Sequence, residues 1–123
     1  MMHRSRLDTA RDGETLAAEY LAQRGFRILT RNFRFHHGEI DIVARDHAYT
    51  VFVEVKSRGS FRYGSPLHAV TPAKQRQLIR VARGWMHVHR VAELVCRFDV
   101  VAVEFHPGRT VITHIPNAFT ADS

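Results

Sequence analysis

Hydrophobic residues along this chain follow two periodicities, a helical one in two segments and an alternating one in five others. The helical pattern runs roughly from Ala10 to Arg24 and from Pro72 to Arg90, where Thr71 supplies an N-cap. The alternating pattern predicts strands, because successive side chains of a strand point to opposite faces. These strands are Phe26 to Arg31, Glu39 to Arg45, Tyr49 to Ser57, Arg97 to Glu104 and Thr110 to Ile115. The order of elements is therefore αβββαββ.

The chain is predicted to form a single α/β domain. Its 123 residues, of which 45% are hydrophobic, are enough for one modest core. A short link at Asp46 and His47 predicts that the second and third strands form an antiparallel hairpin. Residues 31–38 and 57–66 are predicted to be loops, and residues 1–8 and 118–123 to be frayed ends.

The charge of the chain favours a polyanionic partner. There are 18 basic and 12 acidic residues, a net charge of +6, so we expect nucleic acid first and an anionic membrane surface second. Apolar runs such as Val100 to Val103 are too short to span a bilayer. The one cysteine, Cys96, has no partner for an internal disulfide, which favours a reducing cytoplasm.

Charged side chains in the predicted hairpin are the strongest candidates for catalysis. Glu54 and Lys56 share one face of the third strand, and Asp41 lies on the second strand, on the face opposite Ile40 and Ile42. If the hairpin aligns these faces, the set suits phosphodiester hydrolysis. Mg²⁺ or Mn²⁺ prefers carboxylate and water ligands, and a nearby lysine can activate water and neutralise charge on phosphorus. A buried structural ion pair of Glu54 with Lys56 is the alternative.

Two further carboxylates are candidates for supporting roles. Glu14 lies on the first helix near Ala17 and Leu21, so it is a possible additional metal ligand. Its alternative is a solvated glutamate near a helix start, where the helix dipole favours negative charge. Glu39 shares the predicted face of Asp41 and is a weaker candidate for a place around the metal.

Several other chemistries are not supported by the sequence. No glycine-rich nucleotide loop follows a strand, and Ser57 has no evident histidine and acid partner, which argues against kinase and serine-hydrolase chemistry. The adjacent pair His36 and His37 and the pair His87 and His89 do not have the spacing typical of zinc ligands.

Basic side chains are predicted to bind nucleic acid. Arginines on the second helix recur every three or four residues and so form a stripe. Phe35, Phe61 and Tyr63 interleave with loop arginines and can stack on unpaired bases, although Phe33 and Phe35 are also suited to cover a sheet edge. The predicted nucleic-acid-binding residues are Arg34, Arg58, Arg62, Lys74, Arg76, Arg80 and Arg83, and the helical stripe continues to His87 and Arg90.

Four segments carry a resemblance that covers most of the chain. They are GETLAAEYL (residues 13–21), GFRILTRNFR (25–34), GEIDIVARD (38–46) and VFVEVKSR (51–58), followed by RFDVV (97–101) and NAF (117–119). On these segments the chain resembles the YraN-like family of uncharacterised bacterial proteins. That family in turn resembles the restriction-endonuclease-like, PD-(D/E)XK nuclease superfamily, and most closely the archaeal Holliday junction resolvases.

The resemblance implies a three-layer fold, with a mixed central sheet of about five strands flanked by helices. It implies Asp41, Glu54 and Lys56 as the catalytic set and Glu14 as the helix-borne acid, with the three carboxylates as metal ligands. Ile40 stands where a proline often precedes the aspartate of the superfamily.

Our first functional hypothesis is a Mg²⁺-dependent endonuclease acting on branched or flapped DNA, for which the two-fold symmetry of a junction would suit a homodimer. The second is a non-catalytic nucleic-acid-binding accessory protein of DNA repair or uptake, which would bind in a salt-sensitive manner without turnover. The third is a protein-interaction adaptor whose charged cluster is only an ion network.

Overall fold

The structure is a computed structural model that describes residues 6–59 and 65–121. Its helices and strands follow the predicted order, with two short 3₁₀ helices in addition, Pro66–Ala69 and Glu93–Val95. The main elements are α1 (Arg6–Gln23), β1 (Arg27–Phe35), β2 (Gly38–Asp46), β3 (Tyr49–Arg58), α2 (Pro72–His89), β4 (Cys96–His106) and β5 (Arg109–Phe119).

A five-stranded sheet in the order β1-β2-β3-β4-β5 forms the middle layer. Neighbouring strands are antiparallel except β3 and β4, which are parallel. Parallel neighbours need a long crossover connection, and α2 supplies it across one face of the sheet while α1 covers the other. The predicted three-layer α/β arrangement with a mixed central sheet is confirmed.

Two hydrophobic clusters, one on each face of the sheet, hold the layers together. The cluster under α2 includes Leu78, Val81 and Trp85 of the helix and Val43, Phe52, Phe98 and Val100 of the sheet. The cluster under α1 includes Ala17 and Leu21 of the helix and Ala44, Val51, Val53, Val101 and Val103 of the sheet. Because β3 and β4 are covered on both faces, their central residues, 51–53 and 100–103, are continuously apolar rather than alternating with polar residues.

The predicted loop over residues 31–38 is wrong for most of its length. β1 continues to Phe35, and His36 and His37 form the turn, both with positive φ angles, 44° and 62°. Phe33 and Phe35 pack against the cluster under α2, which draws this segment into the sheet. Arg31 and Arg34 are exposed on this edge strand, where charged side chains are common, so a run of basic residues here is compatible with a strand.

Two other elements, α1 and β5, also extend well beyond one predicted end, whereas α2 ends at His89, one residue before its predicted end. α1 begins at Arg6 rather than near Ala10, and β5 runs to Phe119 rather than ending at Ile115. Residues 6–8 and 118–119, which were expected to fray, therefore belong to α1 and β5. In the predicted loop after β3, residues 60–64 lie outside the described residues, and with them the predicted Phe61, Arg62 and Tyr63.

Candidate active site

The candidate site lies where β2 and β3 separate. Their antiparallel ladder ends at the pair Ile42 and Val53. Beyond that pair, the backbone N–H of Val55 donates a hydrogen bond to Asp41 Oδ2 over 2.8 Å. The Asp41 carboxyl group thereby satisfies a backbone N–H that lies past the end of the ladder, and this hydrogen bond fixes the position of the Asp41 side chain. We call this opening, bounded by Asp41 and residues 54–56, the fork.

The path of β2 explains why Asp41 reaches β3. Ile40 packs on the α2 side of the sheet and Ile42 on the α1 side. The prediction that these two isoleucines share a face is therefore wrong, since a regular strand would place residues two apart on the same side. The strand changes face at Asp41, and this local irregularity turns the side chain toward the β3 backbone.

Glu54 is the buried carboxylate of the fork, with 5% of its surface exposed. Lys56 Nζ lies 3.8 Å and Lys74 Nζ 3.5 Å from Glu54 Oε2, the first from the same strand and the second from the start of α2. These are the two lysines of a chain with 18 basic residues, and both lie against the same carboxylate. Burial of a charge is costly unless it is paired, and the two ammonium groups offset that cost.

Asp41 and Glu54 face each other within hydrogen-bonding reach. Burial, the negative charge of Glu54 and the hydrogen bond to it raise the pKa of Asp41 to about 9, and the Val55 N–H offsets only part of this. Asp41 therefore keeps a proton at neutral pH and donates it to Glu54. Two carboxyl groups this close share one proton because like charges disfavour ionisation of both.

Glu14 lies beside this pair on α1 and has its own polar partners. With its amide nitrogen turned toward the carboxylates, Asn32 donates to Glu14 Oε1 at 2.7 Å and to Glu39 Oε1 at 2.8 Å. Burial and the nearby Glu39 raise the pKa of Glu14, whereas Arg31 lowers it. Asn32 has a positive φ of 56°, a conformation that asparagine tolerates better than most residues.

A glycine lets α1 come close enough to bring Glu14 to the fork. A Cβ atom at Gly13 would lie 1.7 Å from Ser57 Oγ and 2.9 Å from Ser57 Cβ. Any side chain at position 13 would therefore push the helix away from β3. The cost of a helical glycine, about 1 kcal/mol relative to alanine, is accepted here for close packing.

An open cleft of about 430 Å³ lies in front of the fork, and we call it the catalytic cleft. Glu14, Asp41 and Lys56 line it together with Ser57 and Arg58. The cleft thus collects three of the four predicted catalytic side chains, and the buried Glu54 contacts two of the same group, Asp41 and Lys56.

The carboxylates of the fork are the candidate ligands for a divalent cation. In the part of the chain that the structure describes, no three His, Cys, Asp or Glu side chains form a ready metal-binding group. Mg²⁺ does not require one, because it commonly uses one or two protein carboxylates and completes its shell with water and substrate phosphate. Asp41 and Glu54 supply two carboxyl groups. A cation bound between them would replace the shared proton and relieve the repulsion between the two negative charges. Their chemistry therefore fits Mg²⁺ or Mn²⁺.

The predicted nucleic-acid-binding residues differ in their exposure and in whether they contact other parts of the protein. Arg34, Arg58, Arg76, Arg80 and Arg83 are exposed, as the prediction requires, and Lys74 is half-buried. Two of the helical arginines also have protein partners. Arg80 Nη2 donates to the His36 carbonyl at 3.3 Å, and Arg83 Nε lies 2.8 Å from Glu93 Oε1. The stripe on α2 is therefore partly anchored to the protein.

Phe33 and Phe35 follow the alternative given for them rather than base stacking. Both pack against the cluster under α2, and the Phe35 ring lies against Gly84. Neither ring projects freely toward solvent, since each is only partly exposed.

Sequence reasoning missed three contributors to the site. Asn32 was not predicted, nor was Gln77, whose Oε1 accepts a hydrogen bond from Lys74 Nζ at 3.1 Å. Lys74 was predicted to bind nucleic acid, although it contacts Glu54. A signal for Lys74 was present, because lysine is rare in this arginine-rich chain and both lysines occupy the same cluster. Asn32 gave no such signal, since its role depends on the strand that replaced the predicted loop.

Comparison with known proteins gives a consistent family match. The chain matches the family described as "Uncharacterised protein family UPF0102" over residues 13–103, which include all four predicted catalytic residues. It is 49% identical over 112 residues to a UPF0102 protein of Anaeromyxobacter dehalogenans, covering 91% of this chain and 84% of that protein. A UPF0102 protein of Geobacter metallireducens is 50% identical over 107 residues, with 87% and 88% covered. One of Chlorobium chlorochromatii is 46% identical over 121 residues, with 94% and 93% covered.

Within the described residues, neither helix is apolar enough to cross a membrane.

Proposed function

Because this chain belongs to the uncharacterised protein family UPF0102, we propose its function from the site itself: a Mg²⁺- or Mn²⁺-dependent endonuclease that hydrolyses phosphodiester bonds in branched or flapped DNA. The observation that carries the proposal is the pair of the half-buried Asp41 and the buried Glu54 at the fork, with Lys56 against Glu54. Two carboxyl groups close enough to share a proton, beside a lysine, are typical of functional sites. In such sites, burial and neighbouring charges shift the pKa values of the reacting groups.

Asp41 and Glu54 would hold the cation, which when bound would polarise the phosphodiester and lower the pKa of a water. Lys56 projects from the strand that carries Glu54, and its side chain is 22% exposed at the catalytic cleft. Its ammonium group donates hydrogen bonds to the attacking water and offsets the charge that builds on the phosphoryl oxygens. Glu14 would complete the metal shell or position that water from α1, with Asn32 orienting its carboxylate.

The surroundings of the fork favour nucleic acid as the substrate. The chain carries a net charge of +6, and Arg58 lines the catalytic cleft beside Lys56. Arg34, Lys74 and the helical arginines extend the positive surface on the other side of the hairpin. We further propose that the protein acts in the cytoplasm. We also propose that it binds a symmetric junction as a homodimer and works with a partner protein in DNA repair or uptake.

Cleavage of an end-labelled panel tests the proposal. The panel contains duplex, single strand, flap, four-way junction and RNA hairpin, each with Mg²⁺, Mn²⁺ or EDTA. We expect cutting of a branched or flapped DNA by the wild type with either metal, and loss of at least about 100-fold in Asp41→Asn, Glu54→Gln and Lys56→Ala. Glu19→Gln, an exposed carboxylate on the same helix as Glu14, is the matched control and should cut like the wild type.

The second candidate, a non-catalytic nucleic-acid-binding protein, is favoured by one observation. Glu54 is already paired with the ammonium groups of Lys56 and Lys74, at 3.8 and 3.5 Å, so the fork is compatible with a role in binding alone. In that case the panel would show salt-sensitive binding without cutting in either metal. Retention of cutting by Asp41→Asn and Glu54→Gln would instead contradict the proposed site.

A further inference from the structure

A second cleft, which shares no lining residue with the catalytic cleft, is reached from the fork through Lys74. It measures about 440 Å³ and lies between the β1–β2 turn and the start of α2. We call it the hairpin cleft. Arg34, His36, His37, Glu39, Lys74 and Gln77 line it. Lys74 belongs to this wall and lies 3.5 Å from Glu54 Oε2, while Lys56 of the catalytic cleft lies 3.8 Å from the same oxygen, so the buried carboxylate contacts one lysine from each cleft.

The ammonium group of Lys74 retains capacity for a ligand. It donates to Gln77 Oε1 at 3.1 Å and lies against Glu54, while 34% of the side chain is exposed. An ammonium group has three N–H donors, and these two contacts occupy two of them. The third N–H is available to an anionic oxygen in the hairpin cleft.

Arg34 supplies a second positive group on the opposite wall. Its side chain is 81% exposed, and its ion pair with Glu39 is long, 3.7 Å from Nε to Oε2. A guanidinium group has five N–H donors in a planar fork, which suits a phosphate. Glu39 is the one carboxylate of the wall, and Asn32 already binds its other oxygen.

The wall between these two cations is held in place from α2. Gln77 Nε2 donates to the His37 carbonyl at 3.5 Å, and Arg80 Nη2 donates to the His36 carbonyl at 3.3 Å. Gly38 allows this approach, since a Cβ there would lie 2.4 Å from Val81 Cγ2. The turn and the helix therefore form one rigid surface, and a ligand would not have to order it.

We propose that the hairpin cleft binds the backbone phosphate next to the one that is hydrolysed, through Lys74 and Arg34. A single nucleic-acid strand then crosses the fork from Arg58 in the catalytic cleft to Arg34 in the hairpin cleft. The position of this phosphate next to the cut rests on the proposed function. The binding of a strand by Lys74 and Arg34 is measurable without any cleavage.

Fluorescence anisotropy with a labelled 12-nucleotide oligothymidylate in EDTA tests this binding over a range of salt concentrations. Lys74→Ala and Arg34→Ala should each weaken binding about threefold to tenfold and lower the slope of log affinity against log salt by about 0.7. Arg27→Ala, an exposed arginine at the opposite end of β1, is the matched control and should change neither. Circular dichroism and melting temperature establish that each variant is folded.

Unchanged binding in either Lys74→Ala or Arg34→Ala, or an equal loss in Arg27→Ala, overturns the proposal. The position of the phosphate is tested on a substrate that is cut. A single neutral methylphosphonate linkage next to the cut site should slow the wild type and have little further effect on Lys74→Ala. Equal slowing of both proteins would assign that phosphate to another site. Absence of cutting would instead contradict the proposed nuclease, while the salt slopes would still decide the cleft.

Discussion

Asp41 joins the architecture of the fork to its chemistry. The same carboxyl group accepts the Val55 N–H and shares a proton with Glu54. Its pKa is raised from 3.8 to about 9, so the folded protein binds a proton that the unfolded chain has lost over this range of pH. The free energy of unfolding contributed by this group is therefore highest below about pH 4 and falls as the pH rises toward 9.

Asp41→Asn should remove that pH dependence. The amide can accept from Val55 and donate to Glu54, so it reproduces both hydrogen bonds without a titrating proton. In urea unfolding without divalent cations, we expect the stability of the variant relative to the wild type to increase from pH 5 to pH 9. A difference that does not vary with pH would contradict the shared proton, and Glu19→Gln gives the baseline for an exposed carboxyl group.

The sequence predicted some residues of the site but not others, for reasons of geometry. Strand alternation alone placed Glu54 and Lys56 together, because both belong to one regular strand. Nothing in the alternation predicted that β2 changes face at Asp41, and the shared face expected for Ile40 and Ile42 failed there. The contact of Lys74 with Glu54 depends on where α2 crosses the sheet, which local periodicity does not specify.

At the scale of elements, a buried network centred on Asp99 joins β4 to β5. Asp99 accepts hydrogen bonds from Arg97 at 3.0 and 3.2 Å and from the Asn117 N–H at 3.0 Å, and it lies 2.7 Å from His114 Nε2. Burial raises the pKa of Asp99, but the hydrogen bonds from His114, Arg97 and Asn117 outweigh it and lower the pKa below its usual value. The network fixes the irregular pairing of β5 near Phe98.

Asp99→Asn should therefore destabilise the protein by about 2 kcal/mol at pH 7, since Arg97 loses its buried counter-charge and keeps the partly exposed Asp46, 3.1 Å away. The lowered pKa means that the stabilisation is present above about pH 4 and is lost as the pH falls through the folded value. Urea unfolding at pH 7 and pH 3 should show the penalty shrinking in acid. Glu93→Gln, which breaks the exposed pair with Arg83, should cost less than about 1 kcal/mol at either pH.

The packing of α2 on β1 depends on Gly84. A Cβ at this position would lie 2.8 Å from three atoms of the Phe35 ring. Gly84→Ala gains about 1 kcal/mol of helix propensity, but overpacking costs about 1–3 kcal/mol, so we expect a net loss of stability. In the background of Phe35→Leu, the same change should become neutral or stabilising. Equal effects in both backgrounds, measured by thermal unfolding, would contradict the contact.

The elements themselves were largely predictable, and their ends were not. Both helices and all five strands occur in the predicted order, because each carries a hydrophobic pattern of its own. The extension of β1 to Phe35 depends on long-range packing of Phe33 and Phe35 under α2, such as the contact of the Phe35 ring with Gly84. Similarly, β5 continues to Phe119 because Phe119 stacks on Phe98 of β4, at 4.9 Å between ring centres.

At the scale of the molecule, a bound cation should stabilise the fold. Anything that binds the folded state alone adds RT ln(1 + [L]/Kd) to the free energy of unfolding, about 1.4 kcal/mol at a ligand concentration of ten times Kd. We expect Mg²⁺ to raise the melting temperature of the wild type and of Glu19→Gln, and to leave Asp41→Asn and Glu54→Gln unchanged. An equal response in all four proteins would point to binding elsewhere on the surface.

The order of the strands has a consequence for how copies of this protein can associate. The unpaired edges of the sheet belong to β1 and β5. Exposed Arg27, Arg31 and Arg34 follow one edge, while Pro116, which lacks an N–H, and the left-handed Asn117 interrupt the other. Charge and proline at such edges oppose the addition of another strand, which protects against aggregation. Two copies on a symmetric junction would therefore meet through helices or loops rather than by continuing the sheet.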